Sequence, residues 1–311
     1  MANAPFKTDP VRTAIALSYS NSEYIGDRVL PRIGVGAREY KYTVYNKKDR
    51  FTVPNTSVGR KGRVNEIEFG ATELSGMVSD YGLEDPIPQA DIDAARNTDI
   101  DPISDATENL SDLIMLDREV RVARLVHTKA NYTSKDTISG NDQWNDSAGT
   151  SDPIEQITEG LETPIIRPNT MVINGLASLA LRRNPAILKA YNGAVGSSGI
   201  VPMSFIKELF ELDEILVGRA KNNTANVGQD MTLSEVWGNH CALIYLNPQA
   251  RPNRGITFGW TAQYKGRVAG TFEDRNIGLE GGTRVRVGEM VEERIVAKDA
   301  AYFLENVVAS S

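Results

Sequence analysis

Few residues in this chain are placed to do chemistry. Cys241 follows His240, a thiol beside a base, which is the pairing that a nucleophilic cysteine needs. Neighbouring positions on a strand point to opposite faces, so the two side chains would not meet, and a buried structural cysteine is the better reading. His127 is the only other histidine, so a single chain cannot assemble a metal site from several imidazoles. One cysteine also leaves no intrachain disulfide and no Cys-rich zinc site, which agrees with a reducing compartment. Asp91-Ile92-Asp93 and Asp99-Ile100-Asp101 space carboxylates as calcium ligands could be spaced. Ile fills the intervening positions, and no Gly-centred loop closed by Glu follows, so an acidic solvated connector is expected there. Glu292-Glu293 and Glu84-Asp85 are acid pairs of the kind a hydrolase uses, but nothing else in the sequence converges on them, and they read as exposed acids. There is no Gly-x-Ser-x-Gly elbow, phosphate-binding loop or dinucleotide fingerprint, and the glycine pairs Gly34-Val35-Gly36 and Gly281-Gly282 read as turns. No catalytic residue, metal ligand or cofactor is assigned, and the weight moves to a structural or interaction role.

Composition narrows that role. The 311 residues are 41% hydrophobic and 24% charged, an ordinary balance for a folded protein with a sizeable core. A formal charge of -7 argues against a dedicated nucleic-acid binder, which needs a Lys/Arg excess to neutralise phosphate. Arg60-Lys61-Gly62-Arg63 is the only dense basic run; it reads as a solvated loop first and as a contact for an acidic neighbour second. No apolar run is long enough to cross a membrane, and the first residues lack the apolar core of a signal peptide, so folding in a cytoplasm is expected.

The element around which the rest must be arranged is the stretch 103–132. It carries no Gly or Pro; acids (Asp105, Glu108, Asp112, Asp117) fill its first half and bases (Arg118, Arg121, Arg124, Lys129) its second, opposing the helix dipole. One long helix is predicted, with Ser104 as N-cap and a length of roughly 40 Å at about 1.5 Å per residue. Its apolar stripe (Ala106, Leu110, Leu113, Ile114, Leu116, Val120, Ala123) drifts, while Val122 and Val126 open a second face, so the helix should be touched from more than one side.

Before it, 11–29 reads as an arm of short helical pieces stopped by Pro31. Residues 36–81 read as a long hairpin with a polar tip: 38–45, 65–69 and 71–78 alternate, 50–53 alternates weakly, and 46–49 form a turn. A two-stranded ribbon is marginal in water, so it must lean on something, most simply another subunit. After the helix comes a polar loop around Trp144. A helix then begins at Pro153 with Asp152 as cap, and a mixed α/β block follows from Arg167, where 167–174 is a turn leading into a buried strand, with further strands at 214–217 and 241–246 and helices at 177–183, 185–191 and 203–210. Further strands are expected at 256–261, 285–287, 291–296 and 302–308, the last three returning to pack on the long helix.

This order of parts, together with Tyr24-Ile25-Gly26-Asp27-Arg28-Val29-Leu30-Pro31, Pro168-Asn169-Thr170, Gly255-Ile256-Thr257-Phe258-Gly259-Trp260-Thr261 and the closing 299–308, resembles the major capsid proteins of tailed bacteriophages. The resemblance implies an α+β, Hong Kong 97-like capsid fold. Its parts would be an N-terminal arm (1–35), an extended loop (36–81), a peripheral domain with the spine helix (82–166), an axial domain (167–261) and return strands of the peripheral domain (262–311). It implies a non-enzymatic virion protein made in the host bacterial cytoplasm that self-assembles through pentamers and hexamers into an icosahedral shell around double-stranded DNA, bound without sequence specificity. Partners would be other copies, a separate scaffolding protein, a portal and decoration proteins, with no membrane. Arg60, Lys61, Arg63, Glu66 and Glu68 are the expected inter-subunit contacts. A cargo shell of the encapsulin type and a hydrolase built on the acid pairs are the rival readings.

Overall fold

A computed structural model describes residues 11, 13, 23–45, 51–68, 70–96, 101–146, 150–193, 199–226 and 228–309. The rest of the expected arm (12 and 14–22), the turn 46–49 with Arg50, and Asp99 lie outside the described residues.

Two five-stranded sheets and one helix make the frame. In the first sheet, β1 (Arg32–Val35) runs parallel to β11 (Gly259–Tyr264), and β11 is antiparallel to β13 (Gly282–Ile295). β13 also carries β12 (Val268–Asp274) and, in the register Gly282↔Pro88 to Val291↔Ser79, β4 (Ser79–Pro88). The expected strands 285–287 and 291–296 are therefore one strand of 14 residues. β11 crosses the expected 261/262 boundary, and Gly34, expected in a turn, lies in β1.

The second sheet has the order β5 (Ser134–Thr137), β14 (Ala301–Glu305), β10 (Cys241–Ile244), β6 (Thr170–Asn174), β7 (Glu214–Gly218), with β5–β14 and β6–β7 parallel and the central pairs antiparallel. Every residue of β6 and β10 is buried. The last strand of the chain thus enters this sheet and not the one formed by β12 and β13. Two ribbons complete the strands among the described residues: β2 (Glu39–Tyr45) with β3 (Ala71–Met77), and β8 (Lys221–Asn223) with β9 (Leu233–Glu235).

Helix α1 is the short turn Gly26–Val29, and α2 (Gln89–Ala95) occupies part of the expected acidic connector. The long helix α3 spans Pro102–Val126. Its cap is Asp101, whose side chain accepts from the Ile103 amide at 3.1 Å, and not Ser104, which lies inside the first turn and donates to Asp101. The expected end at 132 is corrected to Val126. His127 closes the helix, the chain makes a tight turn at Lys129–Asn131, and Tyr132 turns back to donate to the Val126 carbonyl at 2.8 Å. Helices α4 (Pro153–Glu162), α5 (Gly175–Arg183), α6 (Pro185–Asn192) and α7 (Met203–Leu209) follow, three of them started by Asp152, Asn174 or Asn184 side chains that accept amide hydrogens.

The core explains why the helix had to be long. Its first half (Ala106, Leu110, Ile114) packs on Ile87, Ala269, Val285 and Val287 of the first sheet. Its end (Val122, Ala123, Val126) packs on Ala242, Ile244, Ala301 and Phe303 of the second. The opposite face of the second sheet is covered by α4 to α7, with Trp144 buried there and its Nε1 donating to Gln156 at 2.8 Å. Trp144 is thus a core residue, and the polar sequence around it only turns the chain.

Candidate assembly surfaces

The β2–β3 ribbon stands on the first sheet. Tyr40 and Tyr42 are buried against Val78, Trp260 and Ala262. The Tyr40 hydroxyl donates to Glu292 at 2.8 Å, Arg294 donates to the Tyr42 hydroxyl at 2.9 Å, and Tyr42 meets Trp260 edge-on at 5.9 Å. The expectation that the ribbon must lean on another subunit is corrected for its base, which leans on its own chain because alternate side chains of β2 are large aromatics with polar tips. The expectation that Glu292 and Glu293 are exposed acids also falls. Glu292 takes Tyr40 and Arg294, while Glu293, 8% exposed, sits between Arg121 at 3.0 Å and Arg118 at 3.6 Å.

Beyond the base the chain leaves the core. Residues 51–68 form no strand, including 51–53 and 65–68 where alternation suggested one, because the β2–β3 register stops at Tyr45↔Ala71 and no third strand is offered. Arg60, Lys61, Arg63, Glu66 and Glu68 are all exposed on this loop, and none of them makes a salt bridge among the described residues. Apolar residues are exposed with them, Val53 at 92% and Val64 at 75%. Between the ribbon base and the turn 295–300 lies an apolar groove of about 410 Å³ lined by Val44, Leu74, Ile165, Ile256 and Val296 among others.

Where the two sheets meet under α3, the stripe continues through two charged residues. Arg118 donates to the Leu30 carbonyl at 3.3 Å and to the Thr261 hydroxyl at 2.7 Å, and pairs with Asp27. Glu119 accepts from the Ile25 amide at 2.9 Å, the Gly26 amide at 2.6 Å and Trp237 Nε1 at 2.7 Å. The segment 25–31 is thereby clamped to the middle of the helix, with the carboxylate at the start of α1, where free amides face it. Arg32 extends the cluster, bonding Asp27 at 2.7 Å and the fully buried Glu289 at 2.8 Å. Burial opposes the charge on Asp27, but Arg118 and Arg32 outweigh it and hold its pKa below the usual value. Burial pushes the Glu119 carboxyl up and depresses Arg118, which also feels Arg32.

Sequence reading missed this clamp because it took Arg118 as one step of a charge gradient and did not single out Glu119. Their signal was positional: buried residues at 107, 111, 114, 118, 122 and 126, flanked by 119 and 123, follow the helical repeat, so both charged residues lie within the buried stripe.

Trp237 makes a further prediction available. A Cβ on Gly218 would lie 2.2 Å from the Trp237 ring, so Gly218→Ala should cost about 1–3 kcal/mol through overpacking, read as a lowered unfolding temperature of the subunit.

The remaining candidates for chemistry are structural. Cys241 is fully buried among the residues under α4 to α7, where burial pushes its thiol pKa up, while His240 packs against His127 and Phe303. Asp91 and Asp93 lie on α2, where Asp93 accepts from Gln89, and Asp101 is the α3 cap. Glu84 pairs with Arg284 and Arg286. Among the described residues no group of three or more His, Cys, Asp or Glu could hold a metal ion, and no helix is long and apolar enough to cross a membrane.

No family model matches the chain. It is 48% identical over 312 residues to the major capsid protein of Pseudomonas phage JBD67, covering both chains completely, and 27% identical to the major capsid protein of Burkholderia phage BcepMu over 96% of each. Among solved structures it is similar to a phage-related protein of Bordetella bronchiseptica RB50, with a TM-score of 0.75 at 20% identity over 98% of this chain and 99% of the other. The capsid of cyanophage P-SCSP1u gives 0.59 at 13% over 93% and 89%. The SrpI encapsulin of Synechococcus elongatus PCC 7942 gives 0.54 at 12% over 100% and 95%, a likeness of fold alone. A spine helix that joins two sheets, a ribbon projecting from one of them and full-length identity of this size make the chain a member of the phage major capsid proteins, structural proteins of the virion with the Hong Kong 97-like fold.

Proposed function

We propose that this subunit closes with its own copies, through pentamers and hexamers, into an icosahedral shell around phage double-stranded DNA, and that the loop 51–68 bridges neighbouring subunits. The observation that carries the reading is the loop itself: a projecting segment with exposed valines beside exposed charges, on a base rigidly pinned to the first sheet. Solvated loops rarely hold such apolar residues in the open without a partner surface. The second sheet with α4 to α7 is the axial unit grouped at capsomer centres, and the first sheet with α3 is the peripheral unit. DNA is confined by the shell and needs no basic binding face, which agrees with the charge of -7. The subunit is made in the host cytoplasm, and a scaffolding protein, a portal and decoration proteins are its further partners.

Electron microscopy of the purified protein tests the shell: closed particles are expected, and only small, discrete oligomers under assembly conditions would reject it. For the loop, reversing the charge of Arg60, Lys61 and Arg63 to Glu should slow assembly by about tenfold or more at low salt, with the gap narrowing as salt screens it; light scattering at two ionic strengths measures this. Equal rates for variant and parent would remove these residues from the interface.

A further inference from the structure

The chain has two histidines, and the fold brings them together. His127 ends α3; His240 lies 113 positions later, in the turn before β10, yet their rings meet edge to face at 4.9 Å. Each uses Nδ1 to accept a backbone hydrogen: His127 from the Gly238 amide at 3.2 Å, His240 from the Asn306 amide at 3.0 Å. An imidazole can accept only at an unprotonated nitrogen, so both rings are neutral with their hydrogen on Nε2. His127 Nε2 is buried and has no hydrogen-bond partner among the described residues. Trp237 and Phe303 close the pocket, at 5.3 Å and 6.2 Å from the His127 ring.

We propose that His127 and His240 form an acid-released latch, which fastens the end of the spine helix to the 237–240 turn and to the end of β14 while both rings are neutral. A proton taken up at either Nδ1 converts an acceptor into a donor facing an amide N–H, so that one backbone bond is lost and two hydrogens oppose each other. The two rings would also repel each other once charged. The latch lies where the C-terminal half of α3 packs on the second sheet, so its release loosens the helix from that sheet while the contact of the first half with the first sheet stays intact.

The charged and titratable groups around the pair decide the direction. On the β14 side, Glu305 favours a charged His240, but its carboxylate is already held by Lys129 at 2.7 Å and by Thr137 at 2.8 Å. Cys241 is neutral in its buried site, and Glu119 is turned toward the arm and Trp237. Burial is therefore the dominant influence on both rings, and it keeps them uncharged: His127 is pushed down to about 3, with His240 adding to the effect, and His240 is lowered as well. For a base whose folded pKa lies below its unfolded value, the stabilising contribution is complete above the free value of 6.5 and declines as pH falls toward the folded value. His127 then shifts the closed-to-open ratio by up to about tenfold per pH unit in that window, and His240 acts in the same direction.

The test uses the full-length protein, assembled or free. Deuterium exchange at imidazole C2, read by mass spectrometry, reports each histidine separately. Both should titrate below 6.5, with His127 the lower; a His127 that titrates at or above the free value would overturn the proposal. Amide exchange, corrected for its intrinsic pH dependence, should show the peptide containing Gly238 losing protection at least tenfold between pH 6.5 and 4.5, and the peptide containing Asn306 losing protection over the same range. Constant protection over that range would also overturn it. In His240→Asn, whose side-chain oxygen can still accept from Asn306 but does not titrate, the loss at Asn306 should shrink to a small fraction; an undiminished loss in this variant would show that the histidine is not the trigger.

Discussion

Glu119→Ala is expected to destabilise the subunit by about 3–5 kcal/mol, a large part of the stability of an ordinary domain. The side chain accepts three hydrogens, two from the Ile25 and Gly26 amides that open α1 and one from Trp237 Nε1. Truncation leaves all three donors buried without an acceptor, and each orphan costs about 1–3 kcal/mol unless water reaches it. Glu119→Gln separates geometry from charge. Its oxygen can serve Ile25 and Trp237, but its NH2 group then confronts the Gly26 N–H, so a loss of roughly half that of Ala is expected. Urea unfolding gives the stability, and amide exchange at 25–30 shows whether the arm segment comes off the helix before the core opens. Burial raises the Glu119 pKa above 4.5, so folding takes up a proton in that window. The contribution is full below 4.5 and declines as pH rises through the raised value, so the Ala variant should lose at least as much stability at pH 4.5 as at neutral pH. A penalty under about 1 kcal/mol would mean that the arm is held by Arg118, through Asp27 and the Leu30 carbonyl, and by the apolar contacts of Ile25, Val29 and Leu30 without need of Glu119.

The clamp marks the limit of what the sequence discloses. Elements whose signals are local were legible: the cap Asp152 with the proline behind it, the helix that begins at Pro185, the apolar strand at Cys241, and the long stretch free of Gly and Pro from Ile103 onward. Elements defined by their partners were not. β12 has an ordinary composition and exists because β13 offers it an edge, while 65–68 alternates as a strand does and remains irregular because no edge is offered. Arg118 read as one step of a charge gradient, Glu293 as an exposed acid, and Glu119 was not singled out; only the folded chain sets Arg118 against Asp27 and Thr261, Glu119 against Trp237, and Glu293 against Arg118 and Arg121. The histidine pair was illegible for the same reason: sequence distance hides a contact that the packing of the end of α3 on the second sheet creates. The exposure of Arg60, Lys61 and Arg63 was legible because a charge cluster with no apolar period around it has nothing to fold against in its own chain.

Deleting Thr56 to Asn65 should leave a folded subunit that builds no stable shell. Stability should change by less than about 1 kcal/mol, because the segment adds no strand and no core residue, and shortening a flexible loop changes closure entropy only slowly. Its internal contacts are local: the Gly62 amide donates to the Gly59 carbonyl at 2.8 Å, and Asn65 reaches back to Asn55. The ribbon base survives because Tyr40, Tyr42 and Trp260 hold it from below. Assembly responds differently because a shell repeats each contact many times, so a loss of 1 or 2 kcal/mol per interface, roughly a factor of 5–30 at each, multiplies over neighbouring contacts. Unchanged thermal unfolding of the free subunit, with no closed particles by electron microscopy at concentrations where the parent assembles, is the expected pair of results. Normal shells from the deletion would show that the loop only decorates the surface. A deletion that unfolds would instead place the loop in the subunit's own core, against its exposure here.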